Sequence, residues 1–192
     1  MRIISGTLRG KTITPPSSYD ARPTTDFARE ALFDILSNEY EFEGLCVLDL
    51  FSGTGAISYE FISRGAEHCW AVEMNPRNAS FISTAAKNLG IGDRVSVVRH
   101  NVFDFLGLCS RKFDLVFADP PYALSGLETL PDRVFECDVI HPGGYFILEH
   151  GPDKSFAGHR YFVKERKYGK VHFSFFEKPQ DSESGDDGKS GE

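Results

Sequence analysis

Apolar positions cluster in short runs along the middle of the chain. Leu45 to Leu50 (LCVLDL), His68 to Val72, Val95 to Val98, Phe113 to Ala118 (FDLVFA) and Tyr145 to Leu148 are apolar at nearly every position, the pattern of strands covered on both faces of a parallel sheet. Between them, Ala56 to Ser63, Pro76 to Asn88, Phe103 to Leu108 and Gly126 to Glu136 are read as helices. Strand and helix alternating at this length predict an α/β domain: a doubly wound, mainly parallel sheet with helices on both faces. Arg160 to Lys167 and Val171 to Phe176 flank Tyr168-Gly169 and predict an antiparallel hairpin closing the sheet edge.

The flanks read differently. Arg2 to Ile4 and Lys11 to Ile13 are β-prone and joined through Ser-Gly-Thr-Leu-Arg-Gly, as in a small hairpin. Thr14 to Tyr19, with Pro15 and Pro16, is a loop. A helix then opens at Arg22-Pro23-Thr24-Thr25, with Thr24 or Thr25 as N-cap and Phe27, Ala31, Leu32, Ile35 and Leu36 on one face, and ends near Ser37 or Asn38. Residues 181–192 are rich in Gly, Ser and acids and are expected to be disordered. The reading divides the chain into an N-terminal hairpin and helix (1–40), a core (41–178) and an acidic tail (179–192).

A length of 192 residues suits one sizeable domain. No segment is apolar enough to span a membrane and the N-terminus has no apolar signal core, so a cytoplasmic protein is expected. Cys46, Cys69, Cys109 and Cys137 are widely spaced with no C-x-x-C pair, which points neither to a disulfide framework nor to a zinc site. The formal net charge of −7 is unevenly spread. Five acids against one base after Pro179 give the tail −4, whereas 1–22 carries a local +3 and 154–178 a local +5. Both ends of the folded part are therefore basic, which keeps a nucleic-acid partner open.

Chemistry concentrates at strand ends. Val47 to Gly55, VLDLFSGTG, is a strand that ends on Asp49 and breaks into a turn with Gly53 and Gly55. Such a turn lets backbone approach a ligand and leads into a helix whose amino terminus faces it. It lacks the third glycine of a dinucleotide fingerprint and the Lys-Ser/Thr of a P-loop. Glu73 lies 18 residues beyond Gly55, at the end of the next strand, where an acid can accept hydrogen bonds from ribose hydroxyls. After the fourth strand comes Asp119-Pro120-Pro121-Tyr122. Two prolines hold the Asp119 carboxylate and the Pro120 carbonyl as fixed acceptors for an exocyclic amino group, and Tyr122 offers a face on which a base could stack. The six histidines are scattered and each reads as structural.

The glycine turn with its acid resembles motif I of the class I S-adenosylmethionine-dependent methyltransferases, and DPPY resembles the (D/N)PPY signature of amino-group N-methyltransferases. The resemblance implies a Rossmann-like seven-stranded sheet with S-adenosylmethionine as cofactor, Phe51 to Gly55 under its methionine part, Asp49 toward its ammonium and Glu73 with Met74 at its ribose. Asn101 and Val102 would stand beside the adenine, although a helix N-cap explains Asn101 equally well. RIISGTLRGKTI, RPTTDFAREALFDIL, DLFSGTGAISYEFISRGA, DPPY and the terminal YGKV together resemble the bacterial 16S ribosomal RNA guanine-N2-methyltransferase family of the RsmD type, over roughly Arg2 to Phe176. That resemblance implies methylation of one loop guanine, position 966, in naked 16S rRNA or an assembling small subunit, by a monomer without a metal. It makes Arg2, Arg9, Lys11, Arg22 and Arg29 candidates for contacts to RNA, while Arg29 could instead pair with Asp26 or Glu30 on its helix. Adenine-N6 or cytosine-N4 methylation, or a non-catalytic RNA-binding role on the same fold, are the alternatives. A protein glutamine-N5 methyltransferase is disfavoured by Asp119, and a nicotinamide dehydrogenase by the missing glycine.

Overall fold

The computed structural model describes residues 1–15 and 26–180. Arg22, the proposed caps Thr24 and Thr25, most of the proline-containing loop and the acidic tail after Gln180 lie outside the described residues.

Seven strands form one sheet: β1 (Cys46–Leu50), β2 (His68–Val72), β3 (Val95–Val98), β4 (Phe113–Ala118), β5 (Ile140–His150), β6 (Phe162–Tyr168) and β7 (Val171–Glu177), in the order β3-β2-β1-β4-β5-β7-β6. The first five are parallel, and β7 runs antiparallel to both β5 and β6. The expected closing hairpin is therefore present. On one face lie α1 (Asp26–Glu39), α2 (Ala56–Arg64) and α3 (Pro76–Asn88), packed through Leu32, Phe33, Phe61 and Ile82. On the other lie α4 (Val102–Leu108), a 3-10 turn at Leu127–Thr129 and α5 (Leu130–Glu136), packed through Leu106, Leu127 and Val134. Among the described residues no helix is long and apolar enough to cross a membrane.

The N-terminal stretch folds back on itself through an Arg2–Thr12 bridge, with Ile3 donating to Lys11 and Ile13 to Met1. Ile3, Leu8 and Ile13 are buried in the same apolar cluster as α2. Polar bonds fix the docking. The backbone N–H groups of Ile4 and Ser5 donate to the Glu60 carboxylate at 2.9 and 3.0 Å, and Leu8 donates to Ser63 Oγ at 2.9 Å. Gly6 passes so close that an added Cβ would fall 1.8 Å from the Ser63 carbonyl oxygen.

This docking rotates α1 away from the face its apolar spacing predicts. Ala28, Arg29, Leu32, Phe33 and Leu36 are buried, whereas Phe27 is 68% exposed. Arg29 is the correction that matters: it is fully enclosed, donating to the Arg2 carbonyl at 2.6 Å and to Asp26 at 2.8 Å. It pins the hairpin to α1 and is not placed for an RNA phosphate.

β5 is longer than its apolar run. It begins at Ile140 and includes Pro142-Gly143-Gly144, with the irregularity absorbed by a register shift against β4 between Phe113 and Leu115.

Candidate active site

Parallel register aligns the carboxyl ends of the central strands. Leu50 pairs with Val72 on one side and Ala118 on the other, so the residues that follow emerge together at one edge. Backbone bonds continue past the strands: Ser52 N–H donates to the Val72 carbonyl at 3.0 Å, Glu73 N–H to Val98 at 3.1 Å and Asp119 N–H to Leu50 at 3.4 Å.

Asp49 is buried, and its carboxylate accepts from Ser58 Oγ on α2 at 2.5 Å. Burial raises its pKa from the ordinary 3.8 to about 7, opposed by the Ser58 bond and reinforced by the nearby Asp119. The turn after it is tight. Phe51 adopts φ 59, a left-handed conformation that costs a side-chain-bearing residue about 1–2 kcal/mol. Gly53 and Gly55 take φ 56 and 78, and at Gly55 an added Cβ would meet the buried Tyr59 ring at 2.7 Å. Ser52 Oγ donates to the Asp49 carbonyl at 2.6 Å, and Thr54 is buried against Met1. The first turn of α2 therefore opens from a strained, glycine-dependent cradle.

Glu73 binds that cradle directly. One carboxylate oxygen accepts from Gly53 N–H at 2.9 Å and the other from Asn75 N–H at 2.7 Å. Met74 beside it is 65% exposed. Neither Asp49 nor Glu73 has a Lys or Arg partner within salt-bridge distance among the described residues. Two converging acids without a matching cation suit a ligand that carries its own positive charge.

Asn101 caps α4, its side-chain oxygen accepting from Phe103 and Asp104 at 2.9 and 3.3 Å, and Val102 is buried beneath it. The N-cap explanation is thus seen directly. At the end of β4, Asp119 is partly buried and Pro120 buried, whereas Pro121 and Tyr122 are exposed. The Tyr122 ring lies against Gly151, after β5, where an added Cβ would come within 3.7 Å of it. Arg2, Arg9 and Lys11 are exposed on the N-terminal hairpin. Sequence reasoning misses Glu60, which holds that hairpin: a single acid within EFISR gives no sign that two distant N–H groups will bind it.

A doubly wound sheet in this strand order, with a glycine turn after β1 and acids at the ends of β1, β2 and β4, defines the class I methyltransferase fold. An RNA methyltransferase from Salinibacter ruber, solved in complex with S-adenosyl-L-homocysteine, shares that fold at 16% identity with a TM-score of 0.64, covering 83% of this chain and 95% of its own. The chain belongs to the family described as conserved hypothetical protein 95, whose model matches residues 1–177. A member from Buchnera aphidicola (subsp. Baizongia pistaciae), named ribosomal RNA small subunit methyltransferase D, is 29% identical over 180 residues, 92% of this chain and 91% of that protein. The structure of a hypothetical protein from Thermus thermophilus superposes with a TM-score of 0.80 at 30% identity, covering 92% of this chain and 99% of the other.

Proposed function

We propose that this protein transfers a methyl group from S-adenosylmethionine to N2 of a single loop guanine, position 966, in 16S rRNA or an assembling small subunit. Membership of a family with curated rRNA methyltransferases supports the RNA substrate. The observation that carries the reading is the alignment of Asp119-Pro120-Pro121-Tyr122 beside the Asp49 and Glu73 cradle at one sheet edge.

The cradle fits the cofactor by charge and by space. Asp49 lies toward its ammonium, Glu73 toward its ribose hydroxyls, and Gly53 and Gly55 admit it without a Cβ in the way. When bound, S-adenosylmethionine supplies a methyl carbon on a sulfonium, which is a good leaving group. The chain's own contribution is orientation. An aromatic amine is a weak nucleophile because its lone pair is delocalised into the ring. The Asp119 carboxylate and the Pro120 carbonyl accept the two N–H groups, favour the pyramidal amine and aim its lone pair. As the C–N bond forms and the C–S bond breaks, one proton leaves N2 to Asp119 or water. Tyr122 stacks the base once it is splayed from its loop, where unpaired bases leave at low cost. Arg2, Arg9 and Lys11 bind phosphates, with Arg22 as a further candidate.

The test is methyl transfer from labelled S-adenosylmethionine to small subunits and to protein-free 16S rRNA, both taken from a strain lacking the enzyme, followed by nucleoside analysis. N2-methylguanosine that disappears with Asp119→Ala is the expected result. N6-methyladenosine or N4-methylcytosine would overturn the guanine assignment, and no product despite cofactor binding would overturn catalysis on rRNA.

A further inference from the structure

The scattered histidines are not all separate. β5 and β7 pair so that His150 stands opposite His172, and β6 brings Glu165 opposite Ser174 on the same face. His172 Nδ1 lies 3.2 Å and His150 Nε2 3.8 Å from the same oxygen, Oε1 of Glu165. One ligand atom from each of the three residues falls within 4.8 Å of the others. Both histidines are buried, and Glu165 is 21% exposed.

The bonds around the cluster arrange its lone pairs. His150 Nδ1 sits 2.9 Å from the Gly151 carbonyl, an acceptor only, so Nδ1 carries the hydrogen and Nε2 presents a lone pair into the cluster. A backbone carbonyl fixing the tautomer of an imidazole in this way is the usual outer support of a metal-binding histidine. Lys167 occupies the other Glu165 oxygen at 2.9 Å, which leaves Oε1 to face the histidines. Ser174 Oγ lies 2.8 Å from His150 Nε2, a hydroxyl that a fourth ligand position can use or displace.

From this geometry we infer that His150, Glu165 and His172 form a binding site for one divalent transition-metal ion of the zinc type, separate from the reaction. Tetrahedral zinc with bonds of about 2.0–2.1 Å separates neighbouring ligand atoms by about 3.3–3.5 Å, and the observed 3.2 and 3.8 Å bracket that range. Two imidazoles and one carboxylate favour zinc over magnesium or calcium, which take oxygen ligands. The ion would join three strands at the point where the closing hairpin meets the sheet. His150 directly precedes Gly151, the residue against which Tyr122 packs, so the same ion braces the wall behind the DPPY turn.

The full chain, stripped with a chelator, is titrated with ZnCl2 by calorimetry and its thermal unfolding compared in zinc and in magnesium. One equivalent of zinc should bind. Zinc held ~100-fold above its Kd should raise Tm by about 5–10 °C, and magnesium should not. Both effects should vanish in His172→Gln and Glu165→Gln. No zinc-dependent shift, or an equal shift in the wild type and His172→Gln, overturns the proposal. Cobalt substitution of the wild type gives a readout that does not depend on the variants folding. Visible bands of a tetrahedral site without thiolate charge transfer support the cluster, and thiolate charge transfer places the metal on cysteine and overturns it.

Discussion

The acids at the ends of β1 and β2 and the acid at the end of β4 are held by different means. Asp49 and Glu73 are fixed through their side chains: Ser58 binds one carboxylate, and the N–H groups of Gly53 and Asn75 bind the two oxygens of the other. Asp119 is followed by Pro120 and Pro121, whose rings restrict the backbone, and the exposed Pro121 and Tyr122 stand open beyond it. The first arrangement is a bonded cradle for a ligand with several polar groups, and the second is a stiff platform with room above it. A cofactor can be gripped from many sides, but a base swung out of an RNA loop needs an approach that stays clear.

Substitutions can pull the two halves apart. The largest expected effect is on the open side: Asp119→Ala should lower kcat by about 10²–10³-fold through loss of an acceptor on the amine, with S-adenosylmethionine affinity by calorimetry left within about threefold. An equal loss of cofactor affinity would erase the distinction between the halves.

On the cradle side, Asp49→Asn should weaken cofactor binding at pH 8 by about tenfold, the loss of one ion contact of roughly 1.4 kcal/mol. Its pH dependence sharpens the point. The folded carboxyl titrates near 7 and the unfolded one near 3.8, so the native state holds this proton more tightly. The stabilising contribution is complete below the unfolded value and is lost as pH rises through about 7. Wild type should therefore lose stability relative to Asp49→Asn between about pH 5 and 8 by urea unfolding. A cationic cofactor draws out the ionised form, so its affinity for wild type should increase across the same interval and stay flat in the variant.

Gly55→Ala should destabilise the fold by about 1–3 kcal/mol, because it combines a left-handed backbone with a clash on Tyr59. Gly10→Ala, equally left-handed but in open space, should cost only about 1 kcal/mol, and urea midpoints compare the two. The smallest effect should come from Tyr122, where the ring alone matters. Tyr122→Ala should raise KM for RNA by about tenfold, and Tyr122→Phe should change it by less than about twofold.

Elements whose chemistry is local are legible from the residues. The VLDLFSGTG turn carries its strand, its glycines and its acid within one stretch, and Asn75 and Asn101 stand as N-caps just ahead of α3 and α4. Arg29 is misread because apolar periodicity treats a charged residue as a solvent-facing one, whereas here a carbonyl from Arg2 makes its burial possible. Phe27 is misread for the matching reason, since the side of α1 that the hairpin covers cannot be deduced from α1 alone.

By itself the sequence determined the alternation of strand and helix, the parallel sheet with its antiparallel closing pair, the glycine cradle and the proline-stiffened turn, because each depends on periodicity or on the backbone preferences of neighbouring residues. Only the tertiary structure decided which partners distant polar groups found: Glu60 with the N-terminal hairpin, Asp114 with the Cys46 N–H, and His150 with Glu165 and His172. Those pairings depend on strand order and register, which bring residues together across the sheet irrespective of their separation along the chain.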